Sequence, residues 1–79
     1  MALEIIQIIE DDRTCAGLLE YSLRKARFRT NVAYDGENGF RDVQRLAPSL
    51  VLLDVMLPDM DGHEVCRKLR SDPATQTVR

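Results

Sequence analysis

Cysteine and histidine are scarce in this sequence, which has two cysteines and one histidine. Cys15 and Cys66 belong to no CxxC or cysteine–histidine spacing, so the sequence signals neither a zinc site nor a disulfide framework. We predict that both are small buried residues inside helices. His63 follows a glycine at the start of a predicted helix, and we interpret it as an exposed helix-start residue that binds no ligand.

Excess positive charge and long hydrophobic runs are also lacking. The net charge of -2 gives no reason to expect binding to nucleic acid or to an anionic membrane surface. The first apolar run is preceded by Glu4 and broken by Gln7, which is typical of neither a signal peptide nor a transmembrane segment. We therefore expect a cytoplasmic protein.

One basic cluster is present, and it comprises Arg24, Lys25, Arg27 and Arg29. It falls at the end of a predicted helix and in the strand that follows. Cations at a helix C-terminus complement the helix dipole and stay solvated. We interpret the cluster as structural and not as a binding patch.

The composition is typical of a small globular domain, with 44% hydrophobic and 30% charged residues. The chain of 79 residues is long enough for one domain. A domain of this size buries only about two thirds of the surface that its unfolded chain exposes, so we expect marginal stability. No internal repeat, low-complexity tract or linker interrupts it.

Strand-like and helix-like segments alternate along the chain. Short apolar or β-branched runs predict three strands, at residues 5–9, 29–34 and 50–53. Apolar residues at helical spacing predict three helices, at residues 13–26, 38–46 and 63–69. Thr77 and Val78 could begin a further strand. This alternation predicts an α/β fold with a parallel sheet and right-handed crossovers.

The first predicted helix has four apolar residues at helical spacing, which we expect to face the core: Cys15, Leu18, Leu19 and Leu23. Its first turn is preceded by Asp11 and Asp12, and either is suited to cap the helix. The second strand, less apolar than the others, is predicted to lie at an edge of the sheet.

Acidic residues follow two of the predicted strands at the point where each strand ends. Glu10 and Asp11 follow the first strand, and Asp54 follows the third. If these two strands are neighbours, their carboxyl ends open onto one crevice, where parallel sheets bind ligands. Carboxylates a few ångströms apart repel by on the order of 4 kcal/mol per pair at an effective dielectric of about 20. A cation would remove that cost, and oxygen ligands favour Mg²⁺, or Mn²⁺ in its place.

The whole sequence resembles the receiver domain of two-component response regulators. The resemblance rests on three segments: Ile8-Ile9-Glu10-Asp11-Asp12, Leu52-Leu53-Asp54 with Met56-Leu57-Pro58, and Asp61-Gly62 at the start of a helix. It implies a flavodoxin-like, doubly wound parallel sheet with the strand order 2-1-3. It also implies a signalling phosphoacceptor and not an enzyme in the ordinary sense.

The resemblance implies a role for each site residue. Asp54 would accept a phosphoryl group from the phosphohistidine of a sensor histidine kinase or phosphotransfer protein. Asp11 would bind Mg²⁺ directly, Glu10 would act through water, and the backbone carbonyl of Met56 would be the remaining protein ligand. Asp12 comes one position later and is expected to be a helix cap.

The sequence departs from the receiver pattern after its third helix. A receiver has two further strands, which end in a switch serine or threonine and a phosphate-pairing lysine. Thr75, Thr77 and Lys68 do not match those positions. We therefore expect residues 1–79 to be an incomplete receiver, impaired in switching. The unpaired edge of the third strand predicts a homodimer or a swapped oligomer.

Two other functions remain open. Phosphohydrolases with an aspartate nucleophile also use a strand-terminal aspartate and Mg²⁺, but they normally need a second acid two positions later, where this chain has Met56. A receiver remnant that only dimerises, without signalling, is the other alternative. A calcium loop beginning near Asp59 is disfavoured, because Leu57 occupies a ligand position and no glutamate closes the loop.

Overall fold

The computed structural model describes residues 4–54, 57–73 and 75. The described residues form three strands and three helices in alternation: β1 (Ile5–Ile9), α1 (Arg13–Lys25), β2 (Arg29–Ala33), α2 (Gly36–Leu46), β3 (Leu50–Leu53) and α3 (Gly62–Ser71). The bounds of β1 and β3 are those predicted, and the other elements differ by one or two residues at their ends. Thr77 and Val78, the predicted start of a further strand, lie outside the described residues.

The three strands form one parallel sheet in the order β2-β1-β3. This confirms the predicted order 2-1-3, and it places β2 at an edge as its polarity indicated. β1 is the central strand, and its residues Ile6, Gln7, Ile8 and Ile9 are all buried. A strand covered on both faces is apolar at nearly every position, and β1 follows this rule at every position except Gln7.

Helices cover both faces of the sheet. On one face α2 and α3 pack over a core of four buried residues, Ile9, Val43, Val65 and Leu69. On the other face α1 packs against β1 and β2. This is the doubly wound arrangement that the sequence predicted, and it leaves the carboxyl ends of the strands open at one edge of the sheet.

The inward face of α1 agrees with the prediction only in part: of the four predicted residues Leu23 is partly buried, and the other three are exposed. Ala16 is the buried residue of this helix, whereas Leu18 is 64% exposed and Leu19 is 38% exposed. Cys15 and Cys66 are both exposed, so the prediction that they are buried was wrong. Successive helical residues are rotated by about 100°, and the small side chain of Ala16 lets α1 approach the sheet with Cys15 turned outward.

Each helix begins after an aspartate that caps it. Asp12 accepts from the backbone N–H of Thr14 at 2.9 Å and of Cys15 at 3.2 Å. Asp35 caps α2 and Asp61 caps α3 in the same way. The predicted capping role of Asp12 is confirmed, and the caps explain why α2 begins before the predicted position.

Two residues of the basic cluster at the end of α1 have partners within the structure. Arg24 pairs with Glu20 at 3.0 Å and donates to Thr30 on β2. The Lys25 ammonium lies 5.5 Å from the ring centre of Tyr21. Within the part of the chain that the structure describes, no helix is both long enough and apolar enough to cross a membrane.

Candidate metal centre

The register of the sheet brings the strand-terminal acids level with one another. Ile9 is paired with Leu53, so the next residue on each strand, Glu10 and Asp54, leaves the sheet at the same height. The Asp54 backbone N–H donates to the Ile9 carbonyl at 2.9 Å, and the Glu10 N–H donates to Ala33 at 3.0 Å. Both acids therefore start from backbone fixed by the sheet.

Three carboxylates meet at this edge. One oxygen each of Glu10, Asp11 and Asp54 can be chosen so that all three lie within 4.8 Å of one another. Glu10 and Asp54 are partly buried, and Asp11 is exposed. They lie beside an open cleft of about 260 Å³ that is lined by Glu10 and Asp54 together with Leu19 and Leu52. The structure thus brings together three of the four residues predicted to hold a metal. Met56, the fourth, lies outside the described residues.

The electrostatics of the cluster favour a bound cation. Partial burial raises the pKa of Glu10, the backbone N–H of Asp12 lowers it, and the nearby charges of Asp54 and Asp11 raise it further. The net effect holds this pKa above its ordinary value of 4.5. A divalent cation would relieve the repulsion, and a donor set of carboxylates fits a hard ion such as Mg²⁺.

Cys15 lies close to these acids, and their charges disfavour its thiolate. The negative charge of Asp12 raises the pKa of the Cys15 thiol, and partial desolvation and the charge of Glu10 raise it further. Because the thiolate is the form that binds metals and attacks electrophiles, the raised pKa makes Cys15 a poorer ligand and nucleophile than a free thiol.

The acids of the loop after β3 serve another purpose. The Asp59 carboxylate accepts from the backbone N–H of Gly36 at 2.7 Å and of Glu37 at 2.9 Å, at the first turn of α2. Asp61 accepts from the N–H of His63 at 2.7 Å. His63 is exposed, as predicted. Sequence reasoning missed the role of Asp59, because nothing local signals a contact with residues more than twenty positions earlier.

A scan against known families identifies this architecture. The model of the response regulator receiver domain matches residues 6–79. The chain therefore belongs to the response regulator receiver domain family, the family that the sequence resembles.

Individual relatives agree with this assignment. The chain is 44% identical over 73 residues to the DNA-binding response regulator MtrA of Mycobacterium tuberculosis, a match that covers 92% of this chain and 32% of MtrA. The chain thus spans about a third of the length of the curated relatives it matches.

Solved structures give the same fold. The N-terminal domain of a response regulator receiver protein from Methanoculleus marisnigri superposes with a TM-score of 0.92 at 30% identity, over 98% of this chain and 63% of that one. The receiver domain of the sensor histidine kinase PA1611 from Pseudomonas aeruginosa also gives 0.92, at 27% identity and the same two coverages. That structure holds a magnesium ion in its active-site cleft.

Proposed function

We propose that this chain is a phosphoacceptor module of two-component signalling, in which Asp54 receives a phosphoryl group from a sensor histidine kinase or phosphotransfer protein. The observation that carries the proposal is the meeting of Asp54 with Glu10 and Asp11 at the carboxyl edge of the sheet. Membership of the receiver family supports it. A cytoplasmic location belongs to the same proposal.

The acidic cluster is proposed to hold Mg²⁺, or Mn²⁺ in its place. Asp11 binds the ion directly, Glu10 acts through water, and Asp54 and the backbone carbonyl of Met56 complete the protein ligands. When bound, the ion neutralises the carboxylates and the incoming phosphoryl oxygens and helps to hold them in line. The magnesium ion in the cleft of the PA1611 receiver supports this choice of metal.

In the proposed transfer, a carboxylate oxygen of Asp54 attacks the phosphorus atom of the donor phosphohistidine. The new oxygen–phosphorus bond forms as the nitrogen–phosphorus bond breaks, and the departing imidazole nitrogen keeps the electron pair and takes a proton. The hydrogen bond from the Asp54 N–H to Ile9 supports the orientation of the nucleophile. Because Asp54 is itself modified, the chain is a signalling phosphoacceptor, with at most self-phosphorylation and slow self-dephosphorylation.

We propose one further property of the chain, which concerns the edge of the sheet at β3. In the described part of the sheet β3 pairs with β1 alone. We propose that its other edge pairs with a second copy. A light-scattering mass equal to one chain at high concentration would contradict the dimer.

Chemical trapping of the modified residue tests the proposed function. The chain is incubated with acetyl phosphate and Mg²⁺, treated with hydroxylamine, which cleaves acyl phosphates, and mapped by peptide mass spectrometry. We expect a hydroxylamine-sensitive modification at Asp54, absent from Asp54→Asn. Asp35→Asn is the matched control, because Asp35 follows β2 but lies outside the acidic cluster. Modification of another residue, or none, would contradict the proposal.

The same preparation separates the alternatives. Sustained release of phosphate from phosphomonoesters, abolished in Asp54→Asn, would favour the aspartate-nucleophile phosphohydrolase. A folded dimer that accepts no phosphoryl group from any donor would favour a non-signalling interaction module. A hydrolase of this kind normally has its second acid where this sequence has Met56, so the sequence favours the phosphoacceptor over the hydrolase.

A further inference from the structure

The Asp59 carboxylate joins the loop after β3 to the first turn of α2. Its two oxygens accept separate hydrogen bonds, from Gly36 N–H at 2.7 Å and from Glu37 N–H at 2.9 Å. These N–H groups have no partner within the helix, and they carry the positive end of its dipole. Asp35 already caps α2 through Asn38 N–H at 2.8 Å. Asp59 therefore accepts hydrogen bonds from two N–H groups that the Asp35 side chain does not cap.

The start of α2 and the loop after β3 are also in close contact, because the backbone at Gly36 packs against the side chain of Met60. A Cβ atom added to Gly36 would lie 2.5 Å from Met60 Cγ and 2.9 Å from Val65 Cγ2. Gly36 is buried, and Met60 packs against the core cluster below α2. The glycine thus permits an approach that any other residue would obstruct. The contact at Gly36 involves the same loop, beside the N–H that donates to Asp59.

The loop is also fixed at its start, at the proposed phosphoacceptor. The Asp54 N–H is bonded to β1 through Ile9, and Leu57 packs against the core cluster. Only five positions separate Asp54 from Asp59, and consecutive Cα atoms are about 3.8 Å apart. Because the connecting segment is so short, chain connectivity limits how far Asp59 can shift relative to α2 without moving the chain close to Asp54.

We propose that Asp59 is a positioning residue of the metal site: its carboxylate fastens the loop that follows Asp54 to the N-terminus of α2, so that metal binding and the position of α2 are coupled. The inference rests on the proposed function, since the loop includes Met56, the proposed carbonyl ligand. Asp59 touches neither metal nor phosphoryl group and acts through the backbone that it holds.

The test combines Mg²⁺ affinity, measured by titration calorimetry, with the amide NMR signals of Gly36 and Glu37. Asp59→Ala removes both acceptors, and Asp59→Asn keeps one. We expect Mg²⁺ to bind roughly tenfold more weakly to Asp59→Ala, as when a group that orients a metal ligand is lost, and by a smaller factor to Asp59→Asn. In the parent chain both amides should shift as Mg²⁺ is added, and this response should disappear in Asp59→Ala.

Two further variants control the experiment. Glu64→Gln removes the same charge from the exposed first turn of α3 and should leave the affinity unchanged, which separates positioning from long-range attraction. Gly36→Ala disturbs the contact from the α2 side and should weaken Mg²⁺ binding while Asp59 is intact. Thermal melts identify any variant that fails to fold. If Asp59→Ala does not fold, the milder substitution Asp59→Asn carries the test.

Two results would overturn the inference and leave the proposed function standing. One is an unchanged Mg²⁺ affinity in the folded Asp59 variants. The other is that the amide signals of Gly36 and Glu37 do not shift when Mg²⁺ is added to the parent chain. Failure of the parent chain to bind Mg²⁺ at all would overturn the proposed metal site, and the positioning role with it.

Discussion

The side chains of Gln7 and Asn31 are hydrogen-bonded across β1 and β2, with Asn31 Nδ2 2.9 Å from Gln7 Oε1. The same nitrogen donates to Asp42 on α2 at 2.8 Å, and Arg45 pairs with the other oxygen of that carboxylate at 3.1 Å. Gln7 is fully buried in the central strand. A polar residue in an otherwise apolar strand is thus the inner end of a network that fastens α2 to the sheet.

Replacing Gln7 should therefore cost stability. Gln7→Ala leaves the buried ends of Asn31 and Asp42 with fewer partners and opens a cavity, so we expect a loss of about 1–3 kcal/mol in the free energy of unfolding. Urea denaturation measures it. The matched control is Gln44→Ala, which removes an exposed glutamine bonded to Asp72. Equal losses in the two variants would show that burial of the Gln7 network contributes nothing.

Two helical glycines should respond to alanine with opposite signs. A Cβ at Gly17 would meet nothing within 4 Å, so Gly17→Ala should stabilise α1 by about 0.5–1 kcal/mol through helix propensity. A Cβ at Gly39 would lie 2.5 Å from Ile9 Cδ1 in the core, and Gly39→Ala should destabilise by about 1–3 kcal/mol. If the urea midpoints of Gly17→Ala and Gly39→Ala move in the same direction, the assigned difference in packing at the two glycines is wrong.

The neighbouring acids Asp11 and Asp12 should separate metal binding from helix capping. Asp12→Ala should lose about 1 kcal/mol of stability, as helix caps do, and keep its response to Mg²⁺. Asp11→Ala should be at least as stable as the parent chain without metal, because it removes one of three repelling carboxylates, and it should lose the rise in melting temperature that Mg²⁺ gives the parent chain. Asp12→Asn, which retains a capping oxygen, is the control. A large loss of the Mg²⁺ response in Asp12→Asn would show that Asp12 is a metal ligand, contrary to this prediction.

Asp59 should contribute a pH-dependent part of the stability. Burial raises the pKa of Asp59, but the backbone N–H groups of Gly36 and Glu37 lower it more, and the pKa lies below its ordinary value of 3.8. A carboxyl whose pKa falls on folding stabilises the folded state above its unfolded pKa. That stabilisation is lost as the pH falls through the folded pKa.

The difference in unfolding free energy between the parent chain and Asp59→Asn should thus be constant above pH 3.8 and shrink below it. Urea denaturation of both chains across this range measures the difference. A difference that stays constant down to the lowest pH at which the chains fold would contradict the assigned hydrogen bonds.

The strands were predictable because their sequence signals are local. The acidic cluster was predictable because the carboxyl ends of neighbouring parallel strands lie at the same edge of the sheet. The apolar runs that become β1 and β3 are each followed directly by acids, which marks their ends. The register that pairs Ile9 with Leu53 then brings those acids together. Helix starts were less accurate, because Asp35 caps a helix whose first residue is Gly36, a poor helix former by propensity.

The inward face of α1 and the contact of Asp59 were not predictable in the same way. Periodicity points to the larger apolar residues of α1, whereas the residue that the fold buries is Ala16, whose small side chain gives little hydrophobic signal. Asp59 bonds to the start of α2 only after the fold has brought the loop that follows β3 next to that helix. Such a contact depends on tertiary structure, and an aspartate beside a glycine-containing turn is equally typical of a simple loop.

The central claim is that Asp54 is the phosphoacceptor of this chain, and intact mass spectrometry after incubation with acetyl phosphate tests it most directly. With Mg²⁺ the parent chain should gain the mass of one phosphoryl group, whereas Asp54→Asn, or the parent chain with Mg²⁺ removed by a chelator, should gain none. A folded parent chain that shows no gain with Mg²⁺, or an equal gain in Asp54→Asn, would contradict the claim.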